Sequence, residues 1–111
     1  MEPIIALATS PIKSALHLIR ISGTNALKIV SSCFTVNLTK DKKKSIHFGY
    51  IKNQNKIIDQ VVVLTYPHPN SYTGEDVVEI ICHGNILISN EIIKLMLRLF
   101  IHGIYNANQK R

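Results

Sequence analysis

The chain has 111 residues, a formal net charge of +6, and a composition that is 46% hydrophobic and 18% charged. This length is typical of one domain with a single core, and the composition excludes the disordered class. The longest apolar stretch, Ile86 to Ile101, contains charged residues, and no signal-peptide pattern opens the sequence, so we expect a cytoplasmic or organellar protein without a membrane span.

The first third of the chain predicts two strands and a helix. Ile4 to Ala8 is a short apolar run that predicts a strand, and Leu16 to Ser22 has strand composition. Alternation places Arg20 on a face that it shares with leucines, opposite His17, Ile19 and Ile21. Thr24 is the predicted N-cap of a helix whose apolar positions recur at helical spacing as far as Phe34.

The middle of the chain predicts a hairpin and a further strand. Ser45 to Lys52 and Ile57 to Tyr66 flank a turn, and the loop "HPNSYTGED" follows. The strand predicted next, Val77 to His83, turns Val78, Ile80 and Cys82 to the core. Its other face carries Val77, Glu79, Ile81 and His83. A carboxylate, Glu79, therefore lies in the middle of a half-buried strand.

The last element predicted is a helix from about Ile86 to His102, with Gly103 as its C-cap. Its polar stripe is so narrow that more than one side must be buried, which favours a contact with a second subunit or a neighbouring domain. Together the elements predict an α+β two-layer sandwich with about five strands, in a mixed or antiparallel sheet, and two main helices.

The positive charge is local. Between Lys40 and Lys56 there are six lysines and one acid, whereas Ile57 to Ile93 contains five acids and neither Lys nor Arg. A run of lysines without aromatic residues is more typical of a solvated loop than of an RNA-binding patch, although the second interpretation stays open.

The sequence contains no pattern typical of nucleotide binding or of a metal site. The glycines form neither a P-loop nor a dinucleotide-binding fingerprint. Adjacent Cys82 and His83 point to opposite faces of a strand and cannot share a metal ion, and Cys33 and Cys82 are interpreted as thiols of the core. We therefore assign no catalytic residue and no metal ligand.

Arg20 and Glu79 are the two charged residues placed in the middle of predicted strands. A buried carboxylate is costly unless it is paired or bound. The two residues could form an ion pair with no ligand. Equally, Glu79 could accept hydrogen bonds from a heterocycle with adjacent N–H and NH2 donors, as in guanine and pterins.

Three segments resemble a known family. They are "ALATSP", "LIRISG" and "PNSYTGEDVVEIICHG", and in order and spacing they are similar to the N-terminal domain of the TrmE/MnmE family of tRNA-modification GTPases. The resemblance extends from about Ile4 to about His102.

The resemblance implies a folate-binding, dimerising domain similar in fold to the tetrahydrofolate-binding domain of aminomethyltransferase-like proteins. It implies a 5-formyl- or 5,10-methylene-tetrahydrofolate ligand contacted by Arg20 and Glu79, and a homodimer. The parent enzymes use GTP and potassium in a GTPase domain that is absent from these residues. They work with a flavin-containing partner of the GidA/MnmG family to modify C5 of the wobble uridine in tRNA, so tRNA is an indirect partner.

One departure from the family pattern motivates an alternative. Where the family has a glycine-rich loop containing arginine, this sequence reads "IKSALH", Ile12 to His17, with Lys13 as its only base. The alternative function is a truncated or degenerate self-association module that no longer binds a ligand. A weaker hypothesis is direct tRNA binding through the lysines between Lys40 and Lys56, which would depend strongly on salt.

Overall fold

The computed structural model describes residues 4–7, 15–69 and 74–109. Five strands and two helices follow one another along the chain. In order they are β1 (Ile4–Leu7), β2 (Leu16–Ser22), α1 (Ala26–Ser31), β3 (Ser45–Asn53), β4 (Lys56–Tyr66), β5 (Val77–His83) and α2 (Ile86–Gln109). Each strand lies within one residue of its predicted bounds.

The strands form one sheet in the order β1-β2-β5-β4-β3. All four pairings are antiparallel, which is one of the two arrangements that the sequence left open. Strand β5, which comes last in the chain, lies between β2 and β4 in the centre of the sheet. The α+β fold is therefore confirmed, and the two strands predicted to carry Arg20 and Glu79 are direct neighbours.

Both helices pack against one face of the sheet, here called the covered face. Alternate residues of β2 and β5 are fully buried there, among them Ile19, Ile21 and Ile80. They form one core with Ile92 and Met96 of α2 and with apolar residues of α1. Burial of this apolar area is the main source of stability in a domain of this size.

The buried His17 belongs to the covered face, as alternation predicted. It is 0% exposed, and its Nδ1 lies 3.1 Å from Ser89 Oγ on α2. This contact satisfies polar groups of both residues inside the core.

Helix α1 is shorter than predicted and has a different N-cap. Asn25 takes the cap position without a side-chain hydrogen bond, so the prediction of Thr24 as the cap is wrong. The helix ends at Ser31, before the predicted Phe34, because Phe34 forms a bridge with Ile51 of β3. Pairing with the sheet edge thus replaces the last helical turn.

Helix α2 continues to Gln109, so the prediction that Gly103 caps it is wrong. A glycine C-cap requires a left-handed backbone, and Gly103 does not have a positive φ. Glycine inside a helix costs only about 1 kcal/mol relative to alanine, so a single glycine does not end a helix with a well-packed face.

Candidate functional site

The sheet face opposite the helices, here called the open face, exposes large apolar side chains. Phe48 is 72% exposed, Ile4 65%, Ile46 61% and Leu16 56%. A single row of side chains crosses this face from β3 to β1, and it consists of Ile46, Leu64, Glu79, Arg20 and Ala6. The two charged residues singled out in the sequence therefore lie side by side in an apolar surface.

Arg20 and Glu79 form an ion pair. Arg20 donates from Nε (3.0 Å) and from Nη2 (2.7 Å) to the same oxygen, Oε2 of Glu79. The Glu79 side chain is 11% exposed and that of Arg20 is 40% exposed. A carboxylate this buried needs a charged donor to offset its lost hydration, and Arg20 supplies it. The structure therefore brings together the two predicted site residues as an ion pair.

Tyr66 completes this cluster, and sequence reasoning missed it. Its hydroxyl donates to Oε1 of Glu79 at 2.9 Å, so both carboxylate oxygens accept hydrogen bonds. Tyr66 pairs with Val77 across β4 and β5, which makes it a diagonal neighbour of Glu79 within reach of an aromatic side chain. A ligand that binds Glu79 must share the carboxylate with Tyr66 and Arg20 or displace one of them.

A further cation, Lys44, lies beside the cluster. Its Nζ is 5.8 Å from the centre of the Tyr66 ring, within the range of a cation–π interaction. Lys44 immediately precedes β3, where alternation assigns it to the open face together with Ile46 and Phe48.

The turn before β5 is held by hydrogen bonds to neighbouring segments. Asp76 Oδ1 accepts a hydrogen bond from the backbone N–H of His68 (2.7 Å), and its carbonyl accepts one from Gly23 N (2.9 Å). Glu75 lies near Ser22, whose Oγ donates to it at 3.4 Å. Thr73 and the first half of the loop Ile12 to His17, residues 12–14, lie outside the described residues.

His83 lies at the other end of β5 and is bound by Asp59. Asp59 Oδ2 accepts from the backbone N–H of His83, and Asp59 Oδ1 accepts from His83 Nδ1, both at 2.8 Å. His83 borders a shallow hollow of about 250 Å³ on the open face. Because Glu79 and His83 are four residues apart on a strand, about 13 Å separates them.

The two cysteines are free and buried. Burial raises the pKa of the Cys33 thiol to about 12. Burial, and secondarily the charge of Asp59, raises the pKa of Cys82 to about 11. Both thiols are protonated at neutral pH and are poor nucleophiles, in agreement with their interpretation as core residues.

The lysines between Lys40 and Lys56 do not form one patch. Lys40 to Lys44 lie where β3 begins, whereas Lys52 and Lys56 lie at the hairpin turn, about 25 Å away along the strand. Lys56 is also 3.7 Å from Glu91. This separation weakens the hypothesis of one continuous RNA-binding surface.

The fold and the site define an α+β domain that covers one face of its sheet and carries a partly buried ion pair on the other. Residues 3–109 match the family model described as the N-terminus of the GTP-binding protein TrmE. The chain therefore belongs to the family of TrmE/MnmE N-terminal domains, and the resemblance seen in the sequence is confirmed.

Relatives in several bacteria agree with this assignment. The chain is 42% identical to the tRNA modification GTPase MnmE of Ureaplasma parvum over 98 residues, which cover 88% of this chain and 22% of the relative. It is 45% identical to MnmE of Flavobacterium johnsoniae over 101 residues, covering 87% and 22% of the two chains. MnmE of Thermotoga petrophila is 40% identical over 98 residues, covering 88% and 22%. The chain thus spans about a fifth of the length of these relatives.

The described part of the chain has no helix that is both long and apolar enough to cross a membrane.

Proposed function

We propose that this chain is the folate-binding and self-associating N-terminal part of an enzyme that modifies C5 of the wobble uridine in tRNA. The observation that carries the proposal is the Arg20–Glu79 pair, which lies 2.7 Å apart in the middle of the exposed apolar sheet face. An ion pair that served stability alone would gain little from this position, since such pairs contribute little when partly solvated.

The chemistry of the cluster suits a reduced folate, as 5-formyl- or 5,10-methylene-tetrahydrofolate. The pterin edge has adjacent N–H and NH2 donors, and a carboxylate is the side chain that accepts from both. Glu79 is the pterin acceptor, and Arg20 is the partner of a carbonyl or anionic group. The apolar residues around them, such as Leu64 and Ile46, supply a surface on which the rings can pack.

The first test is calorimetric titration of the 111-residue chain with 5-formyl-tetrahydrofolate. We expect saturable binding, and we expect Glu79→Gln to weaken it by about 1 to 3 kcal/mol, the usual contribution of hydrogen bonds to a charged acceptor. A matched control is Glu91→Gln on α2, which removes a carboxylate outside the sheet and should leave the affinity unchanged. Absence of binding to the wild-type chain would refute the folate proposal.

A double variant separates loss of the ligand from loss of the fold. Glu79→Gln alone leaves Arg20 without a charged partner, whereas Arg20→Met combined with Glu79→Leu replaces both members of the pair by apolar side chains. We expect the double variant to unfold cooperatively at a denaturant concentration close to that of the wild type and to bind no folate. Full binding by this folded variant would place the ligand elsewhere.

Self-association through the open face is the second part of the proposal. Exposed apolar area of this extent, with Phe48 72% and Ile46 61% exposed, is typical of a surface that contacts another chain. The outer side of α2 is the other candidate, because Leu87 is 75% and Ile101 64% exposed. We assign the open face to a second copy of the chain and the outer side of α2 to a neighbouring domain of the parent enzyme.

Sedimentation velocity can distinguish these two surfaces. We expect the wild-type chain to dimerise without added ligand, Phe48→Lys to be monomeric, and Leu97→Lys, on the outer side of α2, to remain dimeric. A wild-type chain that stays monomeric at high concentration would contradict self-association. The reverse pattern of the two variants would move the contact to α2.

A further inference from the structure

We propose that His83, held in place by Asp59, accepts a hydrogen bond from N10–H of the folate, so that this chain selects folates that keep this hydrogen. The inference rests on the proposed function, because it concerns the ligand whose pterin edge Glu79 would hold. It adds a specificity-determining residue. It also favours 5-formyl- over 5,10-methylene-tetrahydrofolate as the ligand, since the methylene bridge replaces the hydrogen on N10.

Asp59 fixes both the orientation and the tautomer of the His83 ring. Its two oxygens accept from the backbone N–H and from Nδ1 of His83, both at 2.8 Å. An ionised carboxylate only accepts hydrogen bonds, so Nδ1 carries the proton and Nε2 of the neutral ring is an acceptor. Within the described part of the chain, no residue forms a hydrogen bond with Nε2. The Asp59 side chain is 9% exposed and that of His83 is 65% exposed, so a buried group holds an accessible acceptor on the open face.

The surface between Glu79 and His83 is apolar. Ile81 lies between them on the same face of β5 and pairs with Val62 of β4. The hollow of about 250 Å³ beside the imidazole begins at this row, and its apolar lining includes Leu16, Phe48, Val62 and Ile81. A flat ring system bound at Glu79 can therefore lie over Ile81 and extend towards His83 without burying a charged side chain.

The spacing of the two polar groups fits such a ligand. Four strand residues place Glu79 and His83 about 13 Å apart. A hydrogen bond of about 2.9 Å at each end leaves about 7 Å between the two donors of the ligand. In a tetrahydrofolate, the bicyclic pterin and one methylene group separate the N–H and NH2 edge from N10, a length of this order. The open face can thus hold the pterin edge at Glu79 and N10–H at His83 together.

The test compares 5-formyl- and 10-formyl-tetrahydrofolate in anaerobic titrations of the 111-residue chain at pH 8. The two isomers differ in the nitrogen that carries the formyl group, and only the first has a hydrogen on N10. We expect the 5-formyl isomer to bind more tightly. In His83→Asn, whose amide keeps a donor for Asp59 but has no atom in place of Nε2, we expect this preference to fall about three- to tenfold, the range for one hydrogen bond between neutral groups. In His102→Asn, the same substitution at an exposed position of α2, we expect it to persist.

A second measurement tests the tautomer without any ligand. We expect the nitrogen-15 chemical shifts of His83 in the free chain at pH 8 to show a protonated Nδ1 and an unprotonated Nε2. The reverse tautomer would overturn the inference, because Nε2 would then be a donor and could not accept from N10–H.

The binding results separate this inference from the proposed function. Equal affinity of the wild type for the two isomers overturns the inference alone. A preference that is unchanged in His83→Asn, even at lower affinity for both isomers, also overturns it, because His83 then does not contact N10–H. Absence of binding for both isomers refutes the proposed function, and the inference falls with it.

Discussion

The two faces of the sheet are built from the same strands but differ in composition and in exposure to solvent. On β5, Val78, Ile80 and Cys82 point to the covered face and are at most 1% exposed, whereas Glu79, Ile81 and His83 alternate with them on the open face. The covered face gains its stability from apolar packing against the helices. The open face leaves large apolar residues exposed and places a partly buried ion pair among them. This composition is the basis of the binding that we propose for the open face.

The largest difference between the faces should appear on truncation of an isoleucine. Ile80 is 0% exposed on the covered face, and Ile46 is 61% exposed on the open face. We expect Ile80→Ala to lower the free energy of unfolding by about 2 to 5 kcal/mol, because it removes packed atoms and leaves a cavity. Ile46→Ala should change it by less than about 0.5 kcal/mol, as for other surface substitutions. Urea denaturation measures both, and similar costs would contradict the division into two faces.

A smaller effect is expected where the edge strand β3 meets the segment after α1. A Cβ added to Gly49 would lie 2.3 Å from Thr35 Oγ1 and 2.8 Å from the Phe34 ring. Thr35 Oγ1 also accepts a hydrogen bond from Tyr50 N at 3.1 Å, so it cannot move without loss. We expect Gly49→Ala to destabilise the chain by about 1 to 3 kcal/mol through overpacking.

The matched control for this prediction is Gly103→Ala. A Cβ at Gly103 meets no atom within 4 Å, and the residue lies inside α2. We expect this variant to be stabilised by about 0.5 to 1 kcal/mol, because alanine favours a helix over glycine. Both values come from the shift of the urea midpoint. Equal effects of the two substitutions would show that Gly49 is not closely packed.

The strands, and the sheet face on which Arg20 and Glu79 lie, could be predicted from the sequence because alternation is a local signal. The alternation of side chains along a strand correctly separated Arg20 and Glu79, on the open face, from Ile19 and Ile80, on the covered face. The ion pair was one of two open interpretations. The ion pair could be predicted only by knowing that β2 and β5 are adjacent. The composition of two strands that are distant in sequence does not determine whether they pair.

What could not be predicted depends on contacts between distant segments. Tyr66 contacts Glu79 only because β4 lies beside β5. The end of α1 was misplaced for the same reason, since Phe34 leaves the helix to pair with Ile51. At Gly103, a local stop signal was overridden by the continuing helix. Tertiary context commonly decides such cases over propensity.

The last prediction concerns a buried thiol of the covered face and how its contribution to stability changes with pH. The Cys33 thiol lies 3.4 Å from the carbonyl of Val30 and 3.9 Å from Met96 Sδ, and burial raises its pKa from 9.0 to about 12. Between these two pH values the unfolded chain loses the thiol proton while the folded chain keeps it. Stability therefore falls as pH rises above 9, by at most about 1.4 kcal/mol per pH unit for this group.

The comparison of wild type with Cys33→Ala isolates this contribution, because all other titrating groups are common to both chains. We expect the wild type to be the more stable protein at pH 8 and its advantage to decrease steadily towards pH 10.5, as measured by urea denaturation at each pH. Parallel pH profiles would show that the folded chain does not hold this thiol proton more tightly than the unfolded chain. A decreasing advantage would show that the covered face stabilises the neutral form of the Cys33 thiol.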